Sequence, residues 1–584
     1  MEEIVMKKIL SAILCAAMIL STSLCACSSK DGGTEDASHS SQKTTTGSAS
    51  NVTFPLKNKV KFTVFAMNTQ AVFDFNNNYV TKELEKETNV NLDFKYSVIG
   101  DDGKTKLSLL MSSGELPDIF LTTGWSKAET MLYGQEGLII PLNDLLKDCP
   151  NWNALNKESP LRKNDLTMPD GNIYTYGQDN ECFHSSYQAR MWIYKPWVDK
   201  LLGGKMPTTT DEFYNYLKLV KTKDPNGNGK ADEIPLSGYT GNGGWATDPT
   251  TFLMNSFIQD NNFLSNTNPT VGAGLVVKNG KVQYQFMQDG YKEGLKYLNK
   301  LYKEKLLDNA SFSEDQTQHN AIVQSSTPIC GAAPGGYWPC SSTELSKHEN
   351  GVWQDWVALN PLKGPSGVQL AAYYPYDYFA NCMGVISSNC KNKEVAIKLF
   401  DLLASRKWTL IQGYGPENVG WQNVSSGTSI CGGKSTYKSN TPKKLNKDNY
   451  PDWGMGYANY LWPSDTTILG NTSALRLALD AGNSKYNSEV FLYNYAKGYS
   501  QYTPKDDSIF PNIAFSEEDS RKIADYTASV GKYVNQATVQ FITGDLDINQ
   551  NWNTYLQKLK GMDVKGYIAL EQKGYDSYLK NSSK

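Results

Sequence analysis

The stretch 60-VKFTVFAM-67 sets apolar residues at alternate positions, the period-two pattern of a β-strand. Reading outward, a helix is predicted over about 79–88, then a second strand at 90-VNLDF-94. A further helix over about 104–113 leads into 116-LPDIFL-121. This β-α-β-α-β order needs crossover connections, so it predicts a mainly parallel sheet with helices on its faces. Ligands of open α/β sheets sit beyond the carboxyl ends of the strands. Here those positions are Asn68 and the pair Gly124–Trp125. Helices are also predicted at about 210–219, 291–304 and 393–404, and the chain after Phe491 reads as helical.

The amino-terminal segment defines the compartment. Lys7 and Lys8 precede an apolar run from Ile9 to Leu20, the length of a signal-peptide core and too short to span a bilayer. Met6 opens the more usual form of such a signal, Met-Lys-Lys-Ile-Leu. The run ends at 24-LCAC-27, which resembles the bacterial lipobox, so residues 1–26 read as a lipoprotein signal peptide with Cys27 as the lipidated residue. Ala26 makes Cys27 the better acceptor; Cys25 follows the bulky Leu24. Residues 28–52 are rich in Ser, Thr and Gly, cannot bury a core, and read as a disordered tether spanning roughly 25–30 Å. A lipid anchor of this kind attaches a protein to a membrane surface without crossing it.

The remaining body exceeds what one compact core usually holds, so two or more lobes are expected. A net charge of −3 lacks the basic excess of a nucleic-acid binder. The 35 Tyr and 13 Trp are numerous, and many lie in Gly-, Pro- or Asn-rich segments, where rings can meet flat, hydroxyl-rich ligands. Seven cysteines remain in the body (149, 182, 330, 340, 382, 390 and 431), an odd number without metal spacing, and mostly free thiols are expected. The four His are scattered, and neither a G-x-S-x-G elbow nor H-E-x-x-H is present.

Several segments resemble the extracellular solute-binding proteins of bacterial ABC importers, in particular the large family-1, oligosaccharide-binding lipoproteins. They include 113-SGELPDIF-120, 141-PLNDLL-146, 168-MPDGNIYTY-176, 190-RMWIYKPWVDKL-201 and 206-MPTTTDEFYNYLKLVK-221. They continue with 359-LNPLKGPSG-367, 414-YGPENVGW-421 and 540-QFITGDLDINQNWNTYLQKLKGM-562. The resemblance implies a two-lobed, periplasmic-binding-protein-like (type II) α/β fold with hinge-linked lobes and a helical carboxyl-terminal extension. It places one lobe at 53–177 plus 378–412 and the other at 178–377 plus 413–584, with crossings near 177–180, 374–379 and 411–416. Such lobes close on a ligand about a hinge.

The loop 223-KDPNGNGKADEIPLSG-238 admits three readings: a phosphate cradle, a cation cage or a polar turn. A phosphate loop needs G-x-x-x-x-G-K-[ST], and Ala231 follows Lys230. Asp224, Asn226 and Asn228 supply hard oxygens at positions 1, 3 and 5 of an EF-hand-like loop. The Lys230 carbonyl lies at position 7, and Gly229 makes the turn at position 6. Pro235 stands where the bidentate glutamate belongs, so Asp232 and Glu233 are expected to close the site. The pattern also resembles the structural calcium loop of the same family, including its alginate-oligosaccharide binders. A solvated Asn-Gly turn is the remaining reading.

Sugars stack their C–H faces on aromatic rings and bind their hydroxyls to polar and charged side chains. The leading candidates are Trp125 and Trp338, the latter on 334-PGGYWPC-340, where Gly335 and Gly336 are expected to leave the ring exposed. Glu417 and Trp421 follow, an acid and aromatic that in the resembled family often face the cleft. Trp245, Asp377, Tyr378 and Asn68 complete the set; Arg190 and Trp192 read as strand support and Trp552 as helix packing. The expectation is a monomeric, non-enzymatic binding subunit of an ABC transporter on the outer face of a Gram-positive cell membrane. It would pass an oligosaccharide to permease subunits, carry structural Ca²⁺ and bind no nucleic acid. A secreted carbohydrate-active enzyme, or a binding protein of the same fold for a peptide or other solute, are the alternatives.

Overall fold

Phe62, Val64 and Ala66 of the first strand enter one apolar cluster, while Phe65 and Met67 enter another. The strand Val60–Asn68 is therefore buried on both faces, as parallel strands covered by helices are. In the computed structural model it pairs in parallel with Val90–Val98, from Val60 opposite Val90 to Asn68 opposite Val98. On its other side it pairs in parallel with Ile119–Thr122, and Met383–Ile386 adds an antiparallel edge. The structure describes residues 49–68, 74–98, 101–159, 161–241, 245–262, 273–338, 355–374, 379–380, 383–440, 468, 470–482 and 487–582. Cys27, nearly all of the tether, Asp377 and Tyr378 lie outside them.

Local signals fix the helices that cover this sheet. Helix Tyr79–Thr88 starts where the Asn78 side chain accepts from Val80 N, and stops where Asn89 turns left-handed at φ 56°. It buries Val80, Thr81, Leu84 and Thr88 along one stripe. Helix Asp101–Ser113 follows the second strand, and helix Lys127–Gln135 opens with a capping box between Ser126 and Glu129.

A second four-stranded sheet orders Trp356–Leu359, Met191–Tyr194, Cys330–Pro334 and Ile234–Leu236. Only its last pair is parallel. It shares an apolar cluster with helices Thr210–Thr222 and Asp289–Lys303 and with carboxyl-terminal helices running to Ser582. Trp552 packs there against Phe541 and Tyr555.

Three short strands form a separate small sheet. Gln178–Asn180 lies at its centre, antiparallel to Phe379–Ala380 and parallel to Gly470–Asn471. Gln178–Asn180 falls within the first segment expected to cross, and Phe379–Ala380 begins at the end of the second. Residues 411–416, expected as the third, end helix Arg406–Tyr414 and enter a turn. Beneath the small sheet Arg162 Nε donates to Asp179 Oδ1 at 2.6 Å, Nη2 donates to the Tyr176 carbonyl at 2.8 Å, and the guanidinium lies over Trp152. Both members of this ion pair are fully buried. Burial pushes the Asp179 carboxyl up to about 6 against the opposing pull of Arg162.

Candidate functional site

One end of the second sheet is organised by a buried cation. Arg190 is fully buried and donates through Nη1 to the Gly336 carbonyl and through Nη2 to that of His184. Burial holds its guanidinium down to about 10. The Arg190 carbonyl accepts from Gly335 N at 3.0 Å, and Trp192 Nε1 donates to the Gly335 carbonyl at 2.8 Å. Arg190, just before strand Met191–Tyr194, and Trp192 within it thus draw the glycine loop after Cys330–Pro334 against the sheet.

That arrangement corrects the expectation for Trp338. Its ring is 1% exposed and stacks on Trp192, centroids 5.6 Å apart and planes at 16°. The glycines serve close approach of the loop to the strand and do not present Trp338 to solvent. Gly336 instead accommodates Trp245. A Cβ at 336 would stand 2.5, 2.7 and 3.0 Å from Cδ2, Cε2 and Cε3, so the glycine backbone lies over the face of the indole. Gly336 N donates to the Trp245 carbonyl at 2.8 Å, and Trp245 Nε1 donates to Gln188 Oε1. The indole is half-buried among Ala189, Ala246 and Ala372. Two residues beyond Ala372, Tyr374 is 39% exposed, with its N–H on the Ser186 carbonyl. Tyr373 packs on Tyr187, and Tyr187 on Phe183.

The other candidates are dispersed. Trp125 is buried against Phe120 and Tyr133 in the cluster beneath the first sheet, which Ala514 also touches. Just beyond it Lys127 Nζ donates to Asp165 at 2.8 Å and to the Asn512 carbonyl at 3.2 Å, linking the first sheet's carboxyl end to the carboxyl-terminal segment. Trp421 is 1% exposed, and its Nε1 donates to the Gly415 carbonyl; the loop folds back and uses the ring as its own core. Glu417 on the same loop is exposed and accepts from Asn423 Nδ2 at 2.7 Å. Asn68 ends the first strand. The structure brings Trp245 together with Gln188, Gly336 and Ala372. Gln188 and Tyr374 escaped sequence reading, though 373-YYPYDYF-379 is the most tyrosine-dense stretch of the chain.

The acidic loop joins helix Thr210–Thr222 to strand Ile234–Leu236. Asp224, at φ 44°, accepts from the backbone N–H groups of Gly227, Asn228 and Gly229 at 2.9–3.1 Å. Asp232 accepts from the amide groups of Asn226 and Asn228, which hold its carboxyl below the usual range. Glu233 Oε1 is buried without a hydrogen-bond partner. Its carboxyl is raised, by burial first and also by the charges of Asp224 and Asp232. Among the described residues no three His, Cys, Asp or Glu side chains converge as a ready cage. The donor set nevertheless fits a hard cation: oxygen ligands only, mutual carboxylate repulsion, and one buried oxygen lacking a donor.

The comparisons with known proteins bear on the whole chain. The model of the bacterial extracellular solute-binding proteins matches residues 75–409. Over 546 residues the chain is 30% identical to the fructooligosaccharide ABC transporter substrate-binding protein FusA of Streptococcus pneumoniae serotype 4, covering 91% of this chain and 93% of that one. The chain belongs to the bacterial extracellular solute-binding proteins. Its structure matches that of S. pneumoniae FusA in complex with kestose at 26% identity and TM-score 0.62, covering 90% of this chain and all of that one. A FusA EF-hand mutant in complex with fructo-nystose matches equally, at TM-score 0.62. The fold is shared with an extracellular solute-binding protein of Bifidobacterium longum subsp. infantis, at 24% identity and TM-score 0.69 over 89% of this chain and 99% of that one. This solute-binding protein is therefore a substrate-binding subunit of an ABC transporter and not an enzyme, with the periplasmic-binding-protein-like fold. Cys149, Cys182, Cys330, Cys390 and Cys431 are free thiols in it; Cys340 and Cys382 lie outside the described residues.

Proposed function

We propose that this solute-binding protein captures an oligosaccharide of the fructooligosaccharide class between two hinge-linked lobes and delivers it to its permease. The observation that carries this reading is the half-buried Trp245, seated on Gly336 and held by Gln188. An indole with one face packed and part of its surface open is a stacking platform for a sugar ring. The 30% identity to a fructooligosaccharide-binding protein over nearly the full chain supports the ligand class. The lobes are assigned to 53–177 with 378–412, and 178–377 with 413–584, with Gln178–Asn180 central to the hinge. Asn68, Asp377, Tyr378 and Glu417 remain candidates for hydroxyl recognition. Trp125, Trp338 and Trp421 serve packing in the conformation described, and take part only if the lobes rearrange.

In this reading the work is differential binding: contacts from both lobes stabilise the closed form, and the permease docks on that form. The protein acts as a monomer, held on the outer face of a Gram-positive cell membrane through lipidated Cys27. Asp224, Asn226, Asn228, the Lys230 carbonyl, Asp232 and Glu233 hold a structural Ca²⁺, which would neutralise the loop's acids and clip its helix to its strand.

Titration calorimetry of residues 28–584 in calcium, against kestose, nystose, maltotriose and trigalacturonate, tests the proposal. Binding of kestose or nystose at about micromolar Kd without turnover is expected, weakened at least about tenfold by Trp245→Ala. Heat with none of the four would overturn the oligosaccharide assignment.

A further inference from the structure

We propose that Gln188 and Gly336 are positioning residues that set the attitude of the Trp245 indole, and thereby restrict it to stacking contacts with the ligand. The inference rests on the oligosaccharide reading above. Three observations carry it. First, the φ of Gly336 lies outside the left-handed region, and the three atoms nearest to where a Cβ would stand all belong to the Trp245 ring, the first at 2.5 Å. The glycine is thus required by the indole and not by its turn. Second, Nε1, the one polar atom of the indole, is spent on Gln188 Oε1. With no donor left, the ring can offer a ligand only its hydrocarbon surface. Third, among the described residues the apolar cluster it packs against is made of small side chains, Ala189, Ala246 and Ala372. The loop carrying Gly336 is itself fixed by Arg190 and Trp192. The attitude of the ring is therefore set by a chain of contacts from the second sheet outward.

Each positioning residue has a clean variant. Gly336→Ala adds one methyl group and must displace the ring. Gln188→Leu keeps the volume and removes the acceptor, whereas Gln188→Glu keeps the acceptor. Full-length mature chain labelled with 5-fluorotryptophan, with the Trp245 resonance assigned through Trp245→Phe, reports the ring by ¹⁹F NMR without any ligand. Kestose titration reports binding. Gly336→Ala and Gln188→Leu are expected to move the Trp245 resonance and weaken kestose binding by about tenfold, with Gln188→Glu retaining affinity within about threefold. An unmoved resonance in both variants would overturn the proposal whatever the sugar result. So would a moved resonance with kestose affinity unchanged to within about twofold. If the unsubstituted protein binds neither kestose nor nystose, the functional reading fails. The resonance then still decides whether Gln188 and Gly336 orient the indole.

Discussion

His184 Nε2 stands 3.3 Å from Glu489 Oε2, joining the short helical turn Phe183–Tyr187 to helix Ser488–Ser500. The same carboxylate oxygen lies 3.5 Å from Arg476 Nη2. Burial is the largest single influence on His184 and pulls its pKa down, but the neighbouring Cys182 thiol and Glu489 carboxylate overcome it and the net shift is upward. A raised folded-state pKa means that stability from protonated His184 is fully present below its unfolded value near 6.5. It is lost as pH rises through the folded value. The melting temperature should therefore fall between about pH 6 and 8, and fall less in His184→Gln. Parallel pH profiles of the two proteins would contradict this assignment.

Glu571, on helix Val564–Ser582, is fully buried, and burial pushes its carboxyl up to about 7 against a smaller opposing pull from the Tyr567 hydroxyl. The sign is again a loss of stability with rising pH, since the folded state holds a proton that the unfolded chain has released above about pH 4.5. Glu571→Gln should flatten this slope and stabilise the protein at pH 8 by on the order of 2–3 kcal/mol. Denaturant midpoints at pH 5 and pH 8 measure it; a variant no more stable than the parent at pH 8 would refute the assignment.

Asp401 gathers four donors around one buried carboxylate. These are Trp152 N at 2.9 Å, Asn151 N at 3.3 Å, Asn151 Nδ2 at 3.1 Å and the Tyr176 hydroxyl at 2.8 Å. Two of them are first-turn amides of helix Pro150–Glu158, where a negative charge is favoured. Asp401→Ala would strand these donors in the interior and should cost about 3–5 kcal/mol, with Asp401→Asn intermediate. Ligand affinity, set elsewhere, should be unchanged where the variant is folded. A denaturant midpoint within error of the parent would show that the network does not support the fold.

The first sheet was legible because local and global signals coincide there. Alternate residues of Val60–Asn68 feed two apolar clusters, and Asn78 and Asn89 mark both ends of the following helix. The second strand runs to Val98, four residues past the pattern at 90–94. Lys95 and Ser97 break the apolar run, and it is pairing with the first strand that carries the extension. Trp338 was misread because glycines in a loop read as exposure, while the bonds holding that loop span 143 and 146 residues. Gly470–Asn471 is too short for any periodicity to announce it. Gln188 was invisible for a similar reason: its partner lies 57 residues away.

The acidic loop gives the most direct test, because its charges predict opposite effects with and without metal. Glu233 bears a buried oxygen with no donor and a carboxyl raised by burial and by its acidic neighbours. Without cation, Glu233→Gln removes that repulsion and should stabilise the protein. With calcium at about 100 times its Kd, the parent should gain about 2.7 kcal/mol from linkage alone, and the variant distinctly less. The difference between the two proteins should therefore change sign between EDTA and calcium. Thermal melts of both in EDTA and in millimolar calcium decide it. Equal melting temperatures of the parent in the two buffers would leave 224–233 as a polar turn, held by the three amides on Asp224 and the two on Asp232.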